Sequence, residues 1–158
     1  MRKEKSDVYN YQNLVYRKMN FSYQVCKVEI DNNFKQMVAD YMGNGMLENI
    51  ISMFRQDESY YSMIPDLIVD ERIRVKLGTT ALVEELVAEK PGSFAKIIPD
   101  IAALLENENP TIRGDAANLL AIISLPECKP VFEKYKNDEN ADIREIINEA
   151  IIVMETRN

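Results

Sequence analysis

Residues 99–124, PDIAALLENENPTIRGDAANLLAIIS, and residues 130–154, PVFEKYKNDENADIREIINEAIIVM, follow one pattern. Pro99 and Pro130 stand 31 residues apart, as do Ile112-Arg113 and Ile143-Arg144, so the proline-to-arginine interval is 14 in both. Ala116 and Ile147 lie three residues past each arginine, and Leu120 and Ile151 continue the apolar stripe. Self-similarity at a fixed period is the signature of stacked supersecondary units, none of which can bury its own apolar face alone.

An earlier copy fits with a deletion. Ile64-Pro65-Asp66-Leu67 matches Ile98-Pro99-Asp100-Ile101, and Ile73-Arg74 serves as the Ile-Arg pair, at a proline-to-arginine interval of only nine. The turn between its helices should be tighter by about one helical turn.

Helical periodicity continues outward from these copies. A helix is predicted from Asp31 as N-cap, with Phe34, Met37, Val38, Tyr41 and Met42 inward, ended by Gly43-Asn44-Gly45. Leu47, Ile50, Ile51 and Phe54 define a second helix. A third follows the capping oxygens of Asp57 and Ser59 and carries Tyr60, Met63, Ile64, Leu67 and Ile68. A longer helix should run from Asp70 as cap to about Lys90, burying Ile73, Leu77, Leu82, Leu86 and Val87. Ser93 opens the next helix after Pro91-Gly92. Asn109-Pro110 opens another that stops before Pro126, and a short helix near residues 130–136 precedes a final one at about 141–155. Short connections make neighbours antiparallel.

The pattern resembles the HEAT-repeat family: a first helix with a proline (Pro99, Pro130), an Asx-containing turn (Asn107, Asp138), then Ile-Arg opening a second helix (Ile112-Arg113, Ile143-Arg144). Small residues follow in one copy, Ala116-Ala117, and Gly78 meets that pattern in the first, whereas Asn148 departs from it. The resemblance covers residues 59–156 and implies an all-α fold, a right-handed α-α superhelix of about four helix pairs, with residues 31–57 as a divergent pair. It also implies that Arg74, Arg113 and Arg144, with Asn107 and Asp138, form an inter-repeat hydrogen-bond ladder. Second helices would line a concave face, placing Lys76, Thr79, Asp115, Asn118, Glu145 and Glu149 there.

Composition limits function. Residues 1–30 carry six Lys/Arg against three Asp/Glu, leaving 13 against 23 on the helical domain at 31–158. So acidic a body repels nucleic acid, whose binding rests on cations neutralising phosphate, and suits a protein partner with a basic or mixed-charge segment. The chain has no histidine, which excludes Ser-His-Asp and Cys-His catalysis and the commonest metal ligand. Cys26 and Cys128, far apart, are expected to be free thiols of a reducing compartment. With no run of about 20 apolar residues and no signal-peptide core, a cytoplasmic location is expected. The acidic turns at 106–109 and 137–140 lack the glycine and distal glutamate of a calcium loop, and the methionines fall on core stripes.

A non-catalytic interaction or scaffold module without cofactor is therefore expected. The alternative is a bilin-lyase-like or chaperone-like HEAT protein acting on a small chromophore or client enzyme. A third reading, a subunit completing a larger assembly, rests on Ile146, which falls off the core stripe of the last helix. The basic, aromatic segment 1–30, with Tyr9, Tyr11, Tyr16, Phe21 and Tyr23, reads either as an arm packed on the helical domain or as a partner-binding tail.

Overall fold

The computed structural model describes residues 30–157, so the predicted arm lies outside the described residues except for Ile30. The described chain is all-helical: eight α-helices and three 3₁₀ segments, with no strand. Helix α1 spans Asn32–Gly43, capped by the Asp31 carboxylate, which accepts the Phe34 N–H at 2.7 Å. The following turn places Gly45 at φ 84°, a conformation open to glycine at no steric cost. Helix α2 spans Leu47–Gln56.

Next comes a two-part element, a 3₁₀ segment at Glu58–Met63 running into α3 at Ile64–Ile68. After α4, Ile73–Glu89, the design recurs as a 3₁₀ segment at Pro91–Ile97 running into α5 at Ile98–Ala103. Apolar spacing alone predicts each as one continuous helix. Pro65 and Pro99 explain the change of geometry: each has no N–H to give and sits in the first turn of its α-helix, where none is needed. A third 3₁₀ turn, Leu104–Glu106, leads to α6 at Pro110–Ile123; α7, Cys128–Tyr135, and α8, Ala141–Thr156, complete the order.

The long helices pack in a row, α1 on α4, α4 on α6 and α6 on α8. The 58–68 element packs on α2, α4 and the 91–106 element, while α7 backs α6 and α8. Both α1 and α2 rest on α4, so segment 31–57 is a helix pair that differs from the later ones. An aromatic file binds this end: Phe34 meets Tyr60, Tyr60 meets Phe54, Phe54 meets Tyr61, and Tyr61 meets Phe94 with ring centroids 4.7 Å apart. Met42 and Met63 are buried and Met37 half-buried.

One part of the register departs from expectation. Ile73 and Leu77, predicted core residues of α4, are 65% and 63% exposed, while Val75, Gly78, Thr79, Leu82, Val83 and Leu86 face inward. The loop explains the shift. Asp70-Glu71 occupies the place of Asn107-Glu108 and Asp138-Glu139, and in each copy the first residue accepts the N–H two residues on: Arg72 at 2.9 Å, Asn109 at 2.9 Å, Asn140 at 2.8 Å. Six residues past that Asx stand Lys76, Arg113 and Arg144. The counterpart of Ile112-Arg113 and Ile143-Arg144 is thus Val75-Lys76, not Ile73-Arg74. The proline interval in the first copy is 11, and the three missing residues match the 3₁₀ turn Leu104–Glu106, which has no counterpart between α3 and Asp70. Asp70 consequently shapes the loop, and Arg72 stands at the N-cap position without a capping side chain.

Candidate functional site

The loops hold successive helix pairs together. Arg113, nearly buried, makes a two-pronged contact with Asp138, Nε to Oδ2 at 2.9 Å and Nη2 to Oδ1 at 3.1 Å. Its Nη1 donates to the carbonyls of Asn107 and Glu108, at 3.0 and 3.2 Å. Arg144 repeats the carbonyl contacts one copy later, Nη1 to the Asp138 and Glu139 oxygens at 2.7 and 3.0 Å. Hydrogen bonds from Arg113 hold the Asp138 carboxyl below the usual aspartate range. The Asn107 side chain serves only its own turn.

Arg74, expected in this ladder, is exposed and has no partner among the described residues. Lys76 holds the equivalent position but has no planar fork, and its Nζ reaches sideways to Asp115 of α6 at 2.6 Å. A different clamp closes the first loop: Arg72 grips Asp70 through Nε and Nη2, both at 2.8 Å, and reaches Asp40 of α1 with Nη1 at 2.6 Å. These contacts depress both carboxyls. Sequence reading missed this clamp, whose signal was the Asp-Glu dipeptide shared by residues 70–71 and 138–139.

Of the six residues expected on the concave face, Thr79 is not at the surface; it is fully buried, its hydroxyl donating to the Val75 carbonyl at 2.8 Å. A small β-branched side chain was needed where α4 meets its neighbours, and that hydroxyl is satisfied within its own helix. Lys76 and Asp115 neutralise one another. Asn118, Glu145 and Glu149 are exposed.

Asn118 and Glu149 flank an open groove of about 210 Å³ between α6 and α8. Ala121 and Ser124 form its α6 side; Ile146, Ala150 and Val153 form its α8 side. The groove exists because Ala121 leaves room beside Ile146, and because Ser124 turns the chain away in the left-handed conformation, φ 49°. Val153 is 42% exposed and neighbouring Ile152 59%. Ile146 was legible as off the core stripe, whereas the exposure of Ile152 and Val153 was not.

A second cleft, between α5 and α7, contains Pro99, Pro130, Lys134 and Tyr135. Glu106 lies across it, accepting from the Tyr135 hydroxyl at 2.7 Å and Lys134 Nζ at 3.0 Å. Among the described residues no group of three or more His, Cys, Asp or Glu could hold a metal ion, and no helix is long and apolar enough to cross a membrane. Cys128 is buried, which pushes its thiol up to about 11 and away from nucleophilic use near neutral pH. No protein-family model matches the chain, and neither a curated protein nor a solved structure matches it.

Proposed function

We propose that the chain is a HEAT-like α-solenoid that works as a non-catalytic protein-binding module, taking a basic, partly apolar peptide segment in the groove between α6 and α8. The observation that carries this is the groove lining itself, where half-buried Ile146 and exposed Val153 meet exposed Glu149, with exposed Glu145 and Ile152 elsewhere on the same helix. An apolar strip rimmed by one sign of charge favours a ligand with apolar anchors and the opposite charge. An open groove of this size suits side chains of a peptide better than an enclosed chromophore, which ordinarily occupies about 300–1,000 Å³. The buried free thiol of Cys128 supports a reducing, cytoplasmic setting.

Random peptides displayed on phage and selected on the full chain test the reading. Selected peptides should combine Lys or Arg with large apolar residues, and the double variant Glu145→Lys, Glu149→Lys should weaken their binding at least about tenfold. Equal binding to that variant would remove the groove from consideration. A stable oligomer in light scattering, dissociated by Ile152→Glu, would instead favour a subunit whose groove face is an assembly contact.

A further inference from the structure

We propose that the groove between α6 and α8 is an intramolecular docking site for the chain's own residues 1–29, so that an external basic ligand must displace them. The inference rests on the peptide-binding reading of that groove and names its resident occupant.

Charge singles out both partners. The first 30 residues carry six Lys/Arg against three Asp/Glu, with Arg2, Lys3 and Lys5 clustered and Tyr9, Tyr11 and Tyr16 close behind. The rest of the chain carries 13 against 23. Among the described residues, two apolar surfaces other than the groove hold cations already. The Ile73 and Leu77 patch flanks Arg74, and the cleft between α5 and α7 contains Lys134. The α6–α8 groove combines an apolar floor with the Glu149 carboxylate and has no lysine or arginine in its lining.

Reach presents no obstacle. The segment joins the described chain at Ile30, beside the start of α1. From α1 the row passes through α4 and α6 to α8; three helix-to-helix steps of 8–10 Å make roughly 30 Å. Twenty-nine extended residues span about 100 Å. Tyrosines suit the apolar floor, because each buries a large ring at little entropic cost, and the cations suit its rim.

Methyl NMR of the full chain tests this, comparing wild type with Arg2→Glu, Lys3→Glu, Lys5→Glu. The expected result is a shift of the Ile146, Ile152 and Val153 methyls in the variant, with the buried Ile64 and Ile98 methyls unmoved as a control for folding. Raising salt should move the wild-type groove resonances toward those of the variant. Groove resonances identical in the two proteins, or shifts confined to Ile73 and Leu77, would overturn the proposal, as would shifts that vanish on dilution, which would assign the contact to a second copy. A phage-selected basic peptide separates this failure from failure of the groove itself. If the peptide still moves Ile146 and Val153 when the charge-reversed chain shows no difference, the groove binds and residues 1–29 do not occupy it. If the docking is real, that peptide should bind the charge-reversed chain several-fold more tightly than wild type.

Discussion

Asp138 joins three neighbours at once: its carboxylate takes both prongs of Arg113 and the Asn140 N–H, and its carbonyl accepts from Arg144. Removing it leaves the nearly buried guanidinium with Glu139 and the two loop carbonyls alone, so Asp138→Ala is expected to cost about 1–3 kcal/mol in chemical denaturation. Asp138→Asn keeps the turn-forming oxygen, loses the charge, and should cost less. The same carboxyl sets a pH signature. Its folded pKa lies below the ordinary aspartate value of about 3.9. Below that value the unfolded chain therefore binds more protons than the folded one, and stability falls as pH drops through the folded pKa. Asp40 and Asp70 act in the same sense through Arg72. Without histidine, stability should vary little between about pH 5 and 8 and then fall below about pH 4, less steeply in Asp138→Asn. Cys128 acts oppositely. Its thiol is raised to about 11, so the neutral form is favoured by folding; that contribution is complete below an unfolded value of about 8.5 and disappears as pH rises toward 11. Replacing Cys128 with alanine should flatten the alkaline limb of the stability profile while lowering its plateau.

Helix α4 meets α1 at Gly78, where an added Cβ would lie 3.4 Å from the Met42 methyl, the flexible end of a side chain. Gly78→Ala should therefore change stability by no more than about 1 kcal/mol, helix propensity offsetting slight crowding. Gly78→Leu forces the two helices apart and should cost about 1–3 kcal/mol. At the end of α6, Ser124 adopts a left-handed conformation, so Ser124→Gly is expected to gain about 0.5–1 kcal/mol in thermal or urea unfolding. Elements were more legible than their phase. Helix caps at Asp31 and Asn109 and the stop at Gly43-Asn44-Gly45 could be read because capping is local chemistry. The phase of α4 was misread because Ile73-Arg74 imitates the Ile-Arg pair two residues early, while the Asp70-Glu71 loop that fixes the register contains only two informative letters. The 3₁₀ halves of the 58–68 and 91–106 elements were hidden for a similar reason, since apolar spacing alone does not separate a 3₁₀ turn from an α turn.

At the scale of the molecule, α4 and α6 have long helices on both sides, whereas α8 has α6 and α7 on one side and exposed Ile152 on the other. Native-state hydrogen exchange should consequently be slowest in α4 and α6 and faster in α8, and ligand in the groove should slow α8 preferentially. The candidate site was half visible in the sequence: Asn118, Glu145 and Glu149 were placed at the surface, but Thr79 followed the same helical count into the interior, and Asp115 was already matched by Lys76 across a helix boundary. Such pairings between helices depend on tertiary spacing, which no single period specifies. That pairing also gives the row two unlike joints. Between α6 and α8 the fastening is a rigid planar fork against a loop carboxylate; between α4 and α6 it is one flexible ammonium from the first turn of α4. Under a load drawing the two ends of the row apart, the Lys76 joint is expected to yield before the Arg113 joint, whose partners are the more buried.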